Sequence, residues 1–391
     1  MKILMINSVC GIRSTGRICT DLAIKLEEQG HEVKIAYGRE NVPAQFERFA
    51  VRIGSDWDVT CHGLKTRLWD GMGLGSKSAT KKFIEWVKEY NPDVIHLHNI
   101  HGYYINIPVL FDYLQTCGKT VIWTLHDCWS FTGHCMYFDF EGCDKWKTGC
   151  GSCPQRNVYP KLIGPDRSAK NFRLKQELIT GIPNMHIVTP SKWLKDLAEQ
   201  SYLKEYPIDV INNGVDTDVF KPTESDILER LCIKDKKVIL GVAAVWDRRK
   251  GLADFVELSK LIDESYKIVL VGLSREQITE LPGSIIGIER TDSVAELVEL
   301  YSAARVFVNA TYEDNYPTTN LEAIACGTPV ITYNTGGSPE SANIYGMTLQ
   351  EKSAGAILEA LGHIDKLKHF QRDISNAESI EEYVDIYKKI L

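Results

Sequence analysis

Short apolar runs that end in polar residues recur along the chain. In the first half these are "KILMIN" (2–7), "GHEVKIAY" (30–37), "PDVIHLHN" (92–99), "KTVIWTLHD" (119–127) and "MHIVTPS" (185–191). In the second half they are "KKVILGVAAVW" (236–246), "YKIVLVG" (266–272), "ARVFVNAT" (304–311) and "TPVITYN" (328–334). Apolar residues follow one another in these runs instead of alternating with polar ones. Strands covered on both faces read this way, so each half predicts a parallel sheet flanked by helices. Amphipathic stretches lie between the runs. Residues 17–28 place Ile18, Leu22 and Leu26 on one helical face, and 294–303 and 318–326 are further helices. The βα alternation predicts an α/β protein of two Rossmann-like domains whose parallel sheets face each other across a cleft. The expected spans are 1–203, with a Cys-rich loop at 128–155, and 204–372. A last segment, 373–391, ends in the helical pattern "SIEEYVDIYKKIL" and is placed to cross back to the first domain.

Composition narrows the reading. The chain has 391 residues, 44% hydrophobic and 25% charged, with a net charge of −7, which argues against a general nucleic-acid binder. The charge is uneven: residues 1–200 hold 25 Lys and Arg against 21 Asp and Glu, while 201–391 hold 20 against 31. Seven of the eight Trp also lie in the first half. A basic, aromatic-rich half suits an anionic partner or a membrane surface. "MKILMINSVCG" is too short an apolar run for a signal peptide and reads as a buried strand. The expected location is therefore cytoplasmic, with room for peripheral contact at the inner face of the membrane. In that reducing setting the eleven Cys are free thiols or metal ligands before they are disulfides.

Ligands of open parallel sheets collect at the carboxyl ends of the strands. Asn7, His98, His126, Asp127 and Ser191 stand at such ends. "CGIRSTGR" places Gly11 and Gly16 around a loop that opens a helix, which suits either a phosphate cradle or a plain turn. "WDRRKGLADF" (246–255) sets Arg248, Arg249 and Lys250 after a strand, where three cations suit a diphosphate or a solvated basic turn. In "EDNYPTTNLEAIACGTPVI" (313–331) a helix starting near Thr318 would present the N–H groups and hydroxyls of Thr318 and Thr319, with Asn320, to phosphate oxygens. Glu322 on the same turns is within reach of a sugar hydroxyl pair, or is merely a favourable acid near a helix start.

The stretch "ATYEDNYPTTNLEAIACGTPVITYNTGGSPE" (310–340) resembles the pattern of family 4 retaining glycosyltransferases of the GT-B fold. "NNGVDTDVFKP" (212–222), "RRKGL", "VTPSKWL" and the strand ends "IHLHN" and "TLHD" are similar to further elements of that family. "HNIHGYY" and "TLHDCW" with "TGHC" are closest in look to its bacterial polysaccharide-building, colanic-acid-type branch. The resemblance implies roles. Glu322 would bind the ribose hydroxyls of a nucleotide-sugar, and Asp314 would contact the transferred sugar. Lys250 would hold the donor diphosphate, Gly16 would approach it from the other domain, and His126 would lie beside the scissile bond. Arg290 is placed near the base. Two departures stand out. The family has Glu where this chain has Asp314. Its Arg five residues before the lysine is Val245 here, and Arg249 or Arg248 would supply that charge. The resemblance further implies retention of configuration without a catalytic metal.

"CWSFTGHCMYFDFEGCDKWKTGCGSCPQ" gathers Cys135, Cys143, Cys150 and Cys153 as C-x7-C-x6-C-x2-C. Four thiolates would close a structural zinc site and order a loop without its own core, with His134 as a substitute ligand. The loop follows Asp127, so an acceptor would meet His98, His101, Tyr103 and Asp127 there. Lys65, Arg67, Lys77, Lys81, Lys82 and Lys88, among Trp69, Phe83 and Trp86, fit a membrane-surface face or an ordinary exposed helix. The expected function is transfer of a sugar from a UDP- or GDP-sugar to a glycan acceptor carried on a lipid diphosphate. An epimerase or hydrolase of the same fold, and a non-catalytic redox or metal-binding protein, are the competing readings.

Overall fold

A computed structural model describes residues 1–367 and 374–390. The chain divides into two compact units, Met1–Asn212 with Ile380–Leu391, and Asn213–Ser379.

The first unit is built on seven parallel strands. In chain order they are β1 (Lys2–Ile6), β2 (Glu32–Tyr37), β3 (Ala50–Arg52), β4 (Val94–Leu97), β5 (Thr120–Thr124), β6 (Met185–Thr189) and β7 (Ile208–Val210). They lie side by side as β3-β2-β1-β4-β5-β6-β7. Every residue of β4, β5 and β6 is buried, as their unbroken apolar runs require. The helix expected over 17–28 starts four residues earlier, at Arg13, and its buried residues are Gly16, Cys19, Thr20, Leu22, Ala23 and Leu26. Ile18 is only half-buried. The helix Asn376–Ile390 returns to this unit. Its Ile380, Tyr383, Val384 and Tyr387 join Ile3, Met5, Leu22 and Ile122 in one core cluster.

The second unit carries β8 (Lys237–Val242), β9 (Tyr266–Val271), β10 (Ile285–Ile288), β11 (Val306–Asn309), β12 (Val330–Tyr333) and β13 (Gly346–Leu349). They form a six-stranded parallel sheet in the order β10-β9-β8-β11-β12-β13. Each sheet reverses its winding at one place, β1 beside β4 and β8 beside β11. Loops diverge at those points and leave a crevice at the strands' carboxyl ends.

Candidate active site

The charged candidate residues of the second unit sit on the two loops leaving β8 and β11. Arg248, Arg249 and Lys250 form one helical turn after β8. Residues 310–317 connect β11 to the helix Thr318–Ala325. Among the hydrogen bonds that join the loops, three are 2.7 Å or shorter. Tyr312 N donates to Arg249 O at 2.7 Å, Arg249 Nη1 to Glu313 O at 2.5 Å, and Lys250 Nζ to Asp314 Oδ2 at 2.5 Å. Two glycines make this approach possible. Gly251 has φ +72°, and a Cβ there would lie 2.1 Å from Ala310 O. Gly336 has φ +57°, and its Cβ would lie 2.0 Å from Asp314 O, which also accepts the N–H of Gly337 at 2.9 Å. Burial alone would raise the Asp314 carboxyl. Lys250 and Arg249 outweigh it and hold the group below the usual carboxylate range.

The other expected donor residues are placed differently. Glu322 is 4% exposed, and its Oε2 accepts the Tyr301 hydroxyl at 3.0 Å. Asn320 is sealed in a buried polar network: its Oδ1 accepts from Asn309 Nδ2 at 3.0 Å, and its Nδ2 donates to Ser341 Oγ at 2.9 Å and Ser338 Oγ at 3.2 Å. That side chain ties the helix to its neighbours and does not point outward as a phosphate ligand. Thr318 and Thr319 are half-buried in the first turn, after Pro317 and with no side-chain cap. Arg248 and Arg290 are exposed, Arg290 two residues past the edge strand β10.

In the first unit the loops after β4 and β5 gather histidines. His98 Nδ1 lies 3.0 Å from His126 Nε2, with the rings stacked at 5.3 Å. His101 Nε2 meets Asp127 Oδ2 at 2.8 Å, and Asp127 Oδ1 accepts the N–H of Trp129 at 2.9 Å. Burial pushes His126 down to about 4 and His98 well below the ordinary imidazole range. Burial would raise Asp127, but His101 more than offsets it and the carboxyl titrates below its usual value. At neutral pH the His98–His126 pair is therefore uncharged, beside an ionised Asp127. Gly16 lies under the turn of residues 9–11, where a Cβ would meet Val9 Cγ2 at 3.0 Å and Gly11 N at 3.2 Å. Tyr103, at φ +75°, packs against Tyr159 with ring centroids 6.0 Å apart.

Residues 15–219 match the family described as "Glycosyltransferase Family 4", and residues 236–364 match "Glycosyl transferases group 1". The chain belongs to glycosyltransferase family 4. This glycosyltransferase is 26% identical over 320 residues to WcaC of Escherichia coli, a glycosyl transferase named for colanic acid biosynthesis. The match covers 76% of this chain and 77% of that one. It is 30% identical over 177 residues, 41% of this chain and 45% of the relative, to the N,N'-diacetylbacillosaminyl-diphospho-undecaprenol alpha-1,3-N-acetylgalactosaminyltransferase of Campylobacter jejuni. Among solved structures it superposes on Anabaena HepE in complex with UDP-glucose, with a TM-score of 0.63, 14% identity and all of both chains covered. The fold of this glycosyltransferase is thus GT-B.

The cysteine loop of the glycosyltransferase departs from expectation. Among the described residues, no group of three or more His, Cys, Asp or Glu side chains is placed to hold a metal ion. Cys135, Cys143, Cys150 and Cys153 are free thiols around one small cavity. The loop also has a core of its own, where the sequence suggested none. Phe131, Phe138 and Trp146 are buried together, with Trp146 at 5.4 Å from Phe131 and 4.8 Å from Phe138. Polar bonds complete the loop's fixing. His134 Nδ1 meets Asp70 Oδ1 at 2.5 Å, Gly133 N donates to Cys150 Sγ at 3.2 Å, and Lys175 Nζ donates to Trp129 O at 2.5 Å.

Sequence reasoning missed His96. It is fully buried, with Nδ1 2.6 Å from Tyr387 Oη and Nε2 2.8 Å from Thr124 Oγ1. The signal was present, because His98 stands two residues after His96, just past the end of β4, and the two rings lie 4.0 Å apart.

Proposed function

We propose that this glycosyltransferase moves a sugar from a UDP- or GDP-sugar, with retention at the anomeric carbon, to a glycan acceptor on a lipid diphosphate. Bacterial surface polysaccharide is the product class. The observation that carries the reading is the Lys250–Asp314 pair at 2.5 Å, flanked by Arg249, at the β8/β11 switch point. An ammonium group has three donors, so Lys250 bonded to Asp314 keeps two for phosphate oxygens. Departure of a nucleoside diphosphate builds negative charge, and fixed cations stabilise it there without reorganising. Asp314 supports the cation and positions it; no covalent role is assigned to that carboxylate. The neutral His98–His126 pair of the first unit suits a hydroxyl-bearing, uncharged sugar acceptor. The relative named for an undecaprenol diphosphate substrate and the UDP-glucose bound by HepE support the acceptor and donor classes. The proposed location is the cytoplasm. Among the described residues no helix is long and apolar enough to cross a membrane.

The test is a panel of nucleotide-sugars scored by thermal stabilisation, followed by NMR of the anomeric configuration of the product. Stabilisation by a UDP- or GDP-sugar and an axial-to-axial or equatorial-to-equatorial outcome are expected. Inversion sinks the retaining assignment. Free sugar or an epimer formed with no acceptor present favours a hydrolase or epimerase instead.

A further inference from the structure

The helix Asp56–Trp69 buries its polar side and exposes its apolar one. Its buried residues are His62 and Thr66, each 1% exposed, whereas Trp57, Leu64, Leu68 and Trp69 are 74%, 53%, 41% and 50% exposed. The inward polar groups are satisfied. His62 Nε2 accepts the N–H groups of Gly73 at 3.1 Å and Gly75 at 3.0 Å, and Thr66 Oγ1 donates to His62 O at 3.0 Å. Residues 57, 64 and 68 fall on one helical stripe. An ordinary surface helix has the opposite arrangement.

A loop extends the same face. Val158, Tyr159 and Ile163 are 46%, 48% and 67% exposed. The backbone N–H of Ile163 donates to Arg67 O at 2.8 Å, and a Cβ on Gly164 would lie 1.8 Å from Leu68 O, so loop and helix end are pressed together. Among the described residues, these two segments hold every exposed large apolar side chain of the first unit. Such side chains normally scatter singly. Exposed cations rim the patch: Lys65 and Arg67 on the helix, Arg156 and Lys161 on the loop. Residues 156–164 contain no acid. The helix has only Asp56 and Asp58, at its first turn, where Asp58 closes the capping box with Ser55 and Asp56 pairs with Arg52.

We propose that this face docks on an anionic lipid bilayer, with Trp57, Leu64, Leu68 and Ile163 at the boundary between headgroups and acyl chains and the four cations among the phosphates. Apolar residues flanked by Lys and Arg bind interfaces in this way, by buried area plus attraction to anionic lipid. The inference deepens the lipid-linked acceptor reading, but its test needs no sugar transfer. Flotation of the full chain is measured with vesicles of phosphatidylcholine alone and of equal parts phosphatidylcholine and phosphatidylglycerol. Binding to the anionic vesicles only, weakened by salt, is expected. Trp57→Ser with Ile163→Ser, at the two most exposed sites, should lose at least about tenfold in partitioning. Arg156→Glu with Lys161→Glu should lose about fivefold for each cation removed. Unchanged melting temperatures show that both variants are folded. No flotation, equal binding to both vesicle types, or a dimer that the Trp57 and Ile163 changes dissociate would overturn the proposal. A chain that transfers sugar yet stays off vesicles sinks this inference alone, and one that floats without transferring sugar sinks only the proposed function.

Discussion

Lys250 Nζ lies 2.5 Å from Asp314 Oδ2, and the two side chains, 18% and 13% exposed, belong to loops leaving two adjacent central strands. The pair fixes where a cation stands at the carboxyl edge of the second sheet. Replacing Lys250 with Met should lower turnover by about a hundredfold or more, because a fixed cation at a departing anion is lost. It also strands a half-buried carboxylate, at a cost of about 2–3 kcal/mol in urea unfolding. The pH dependence has a definite sign. Asp314 titrates below its usual value when folded, so its contribution is present above the unfolded carboxyl range and fades as pH falls through the folded value. The stability gap between wild type and Lys250→Met should therefore narrow in acid. A gap constant down to the acid limit refutes the pairing.

Gly336→Ala should act on the same carboxylate through the backbone. The residue would adopt a left-handed conformation and its Cβ would meet Asp314 O at 2.0 Å. We expect at least about 1–2 kcal/mol of destabilisation from the backbone conformation alone. Turnover should fall more than donor affinity if Asp314 positions Lys250 for the departing charge. An alanine enzyme of normal stability and rate excludes the close approach.

The buried histidines predict an acid-sensitive first unit. Burial lowers His96 to about 3 and His126 to about 4, so both are neutral when folded and charge more readily when unfolded. Stability should then be full above pH ~6.5 and fall by about 1.4 kcal/mol per pH unit per histidine below it, until each folded value is reached. Denaturant titrations from pH 8 to 5 measure the slope. His96→Asn, tested alone, should remove one proton's worth of it.

Tyr387→Phe should leave His96 Nδ1 buried without its 2.6 Å partner. A loss of about 1–3 kcal/mol is expected. Urea unfolding followed by tryptophan fluorescence reads it, and a neutral outcome would mean the hydroxyl is not needed.

The cysteine loop predicts graded reactivity. A hydrogen bond shared with Cys135 lowers the Cys153 thiol and raises Cys135 well above its ordinary value, while burial raises Cys150 to about 11. Iodoacetamide at neutral pH, read by peptide mass spectrometry, should mark Cys153 well before Cys135 or Cys150. Equal labelling would contradict the hydrogen-bonded thiol pair.

Nine strands were legible because doubly covered strands leave unbroken apolar runs, and both βα halves followed from that pattern; the four edge strands β3, β7, β10 and β13 were not among them. The charged residues proposed for the donor site were legible as well: Lys250 and Asp314 stood out as charges following strands. Their pairing was not, since 64 residues separate them and only the sheet order makes β8 and β11 neighbours. Glu322 shows the limit of helical spacing. Its neighbours Leu321, Ala323 and Ile324 are core, and the buried Tyr301 of the preceding helix supplies a polar partner that no local pattern announces. The partners of Asn320 were hidden for the same reason, since Ser338 and Ser341 come from a later helix. At the cysteines, spacing suggested a tetrahedron, while the folding of Phe131, Phe138 and Trp146 into a private core depends on aromatic packing that spacing does not encode.

The return of Ile380–Ile390 to the first unit orders events during synthesis. Residues 213–379 hold every strand of their own sheet. The first unit, although translated earlier, waits with Ile3, Met5 and Ile122 uncovered until Tyr383, Val384 and Tyr387 arrive. The half of the chain made first thus depends on the last residues made, and a chain cut before residue 380 keeps every strand of both sheets but lacks the side chains that complete the first unit's core.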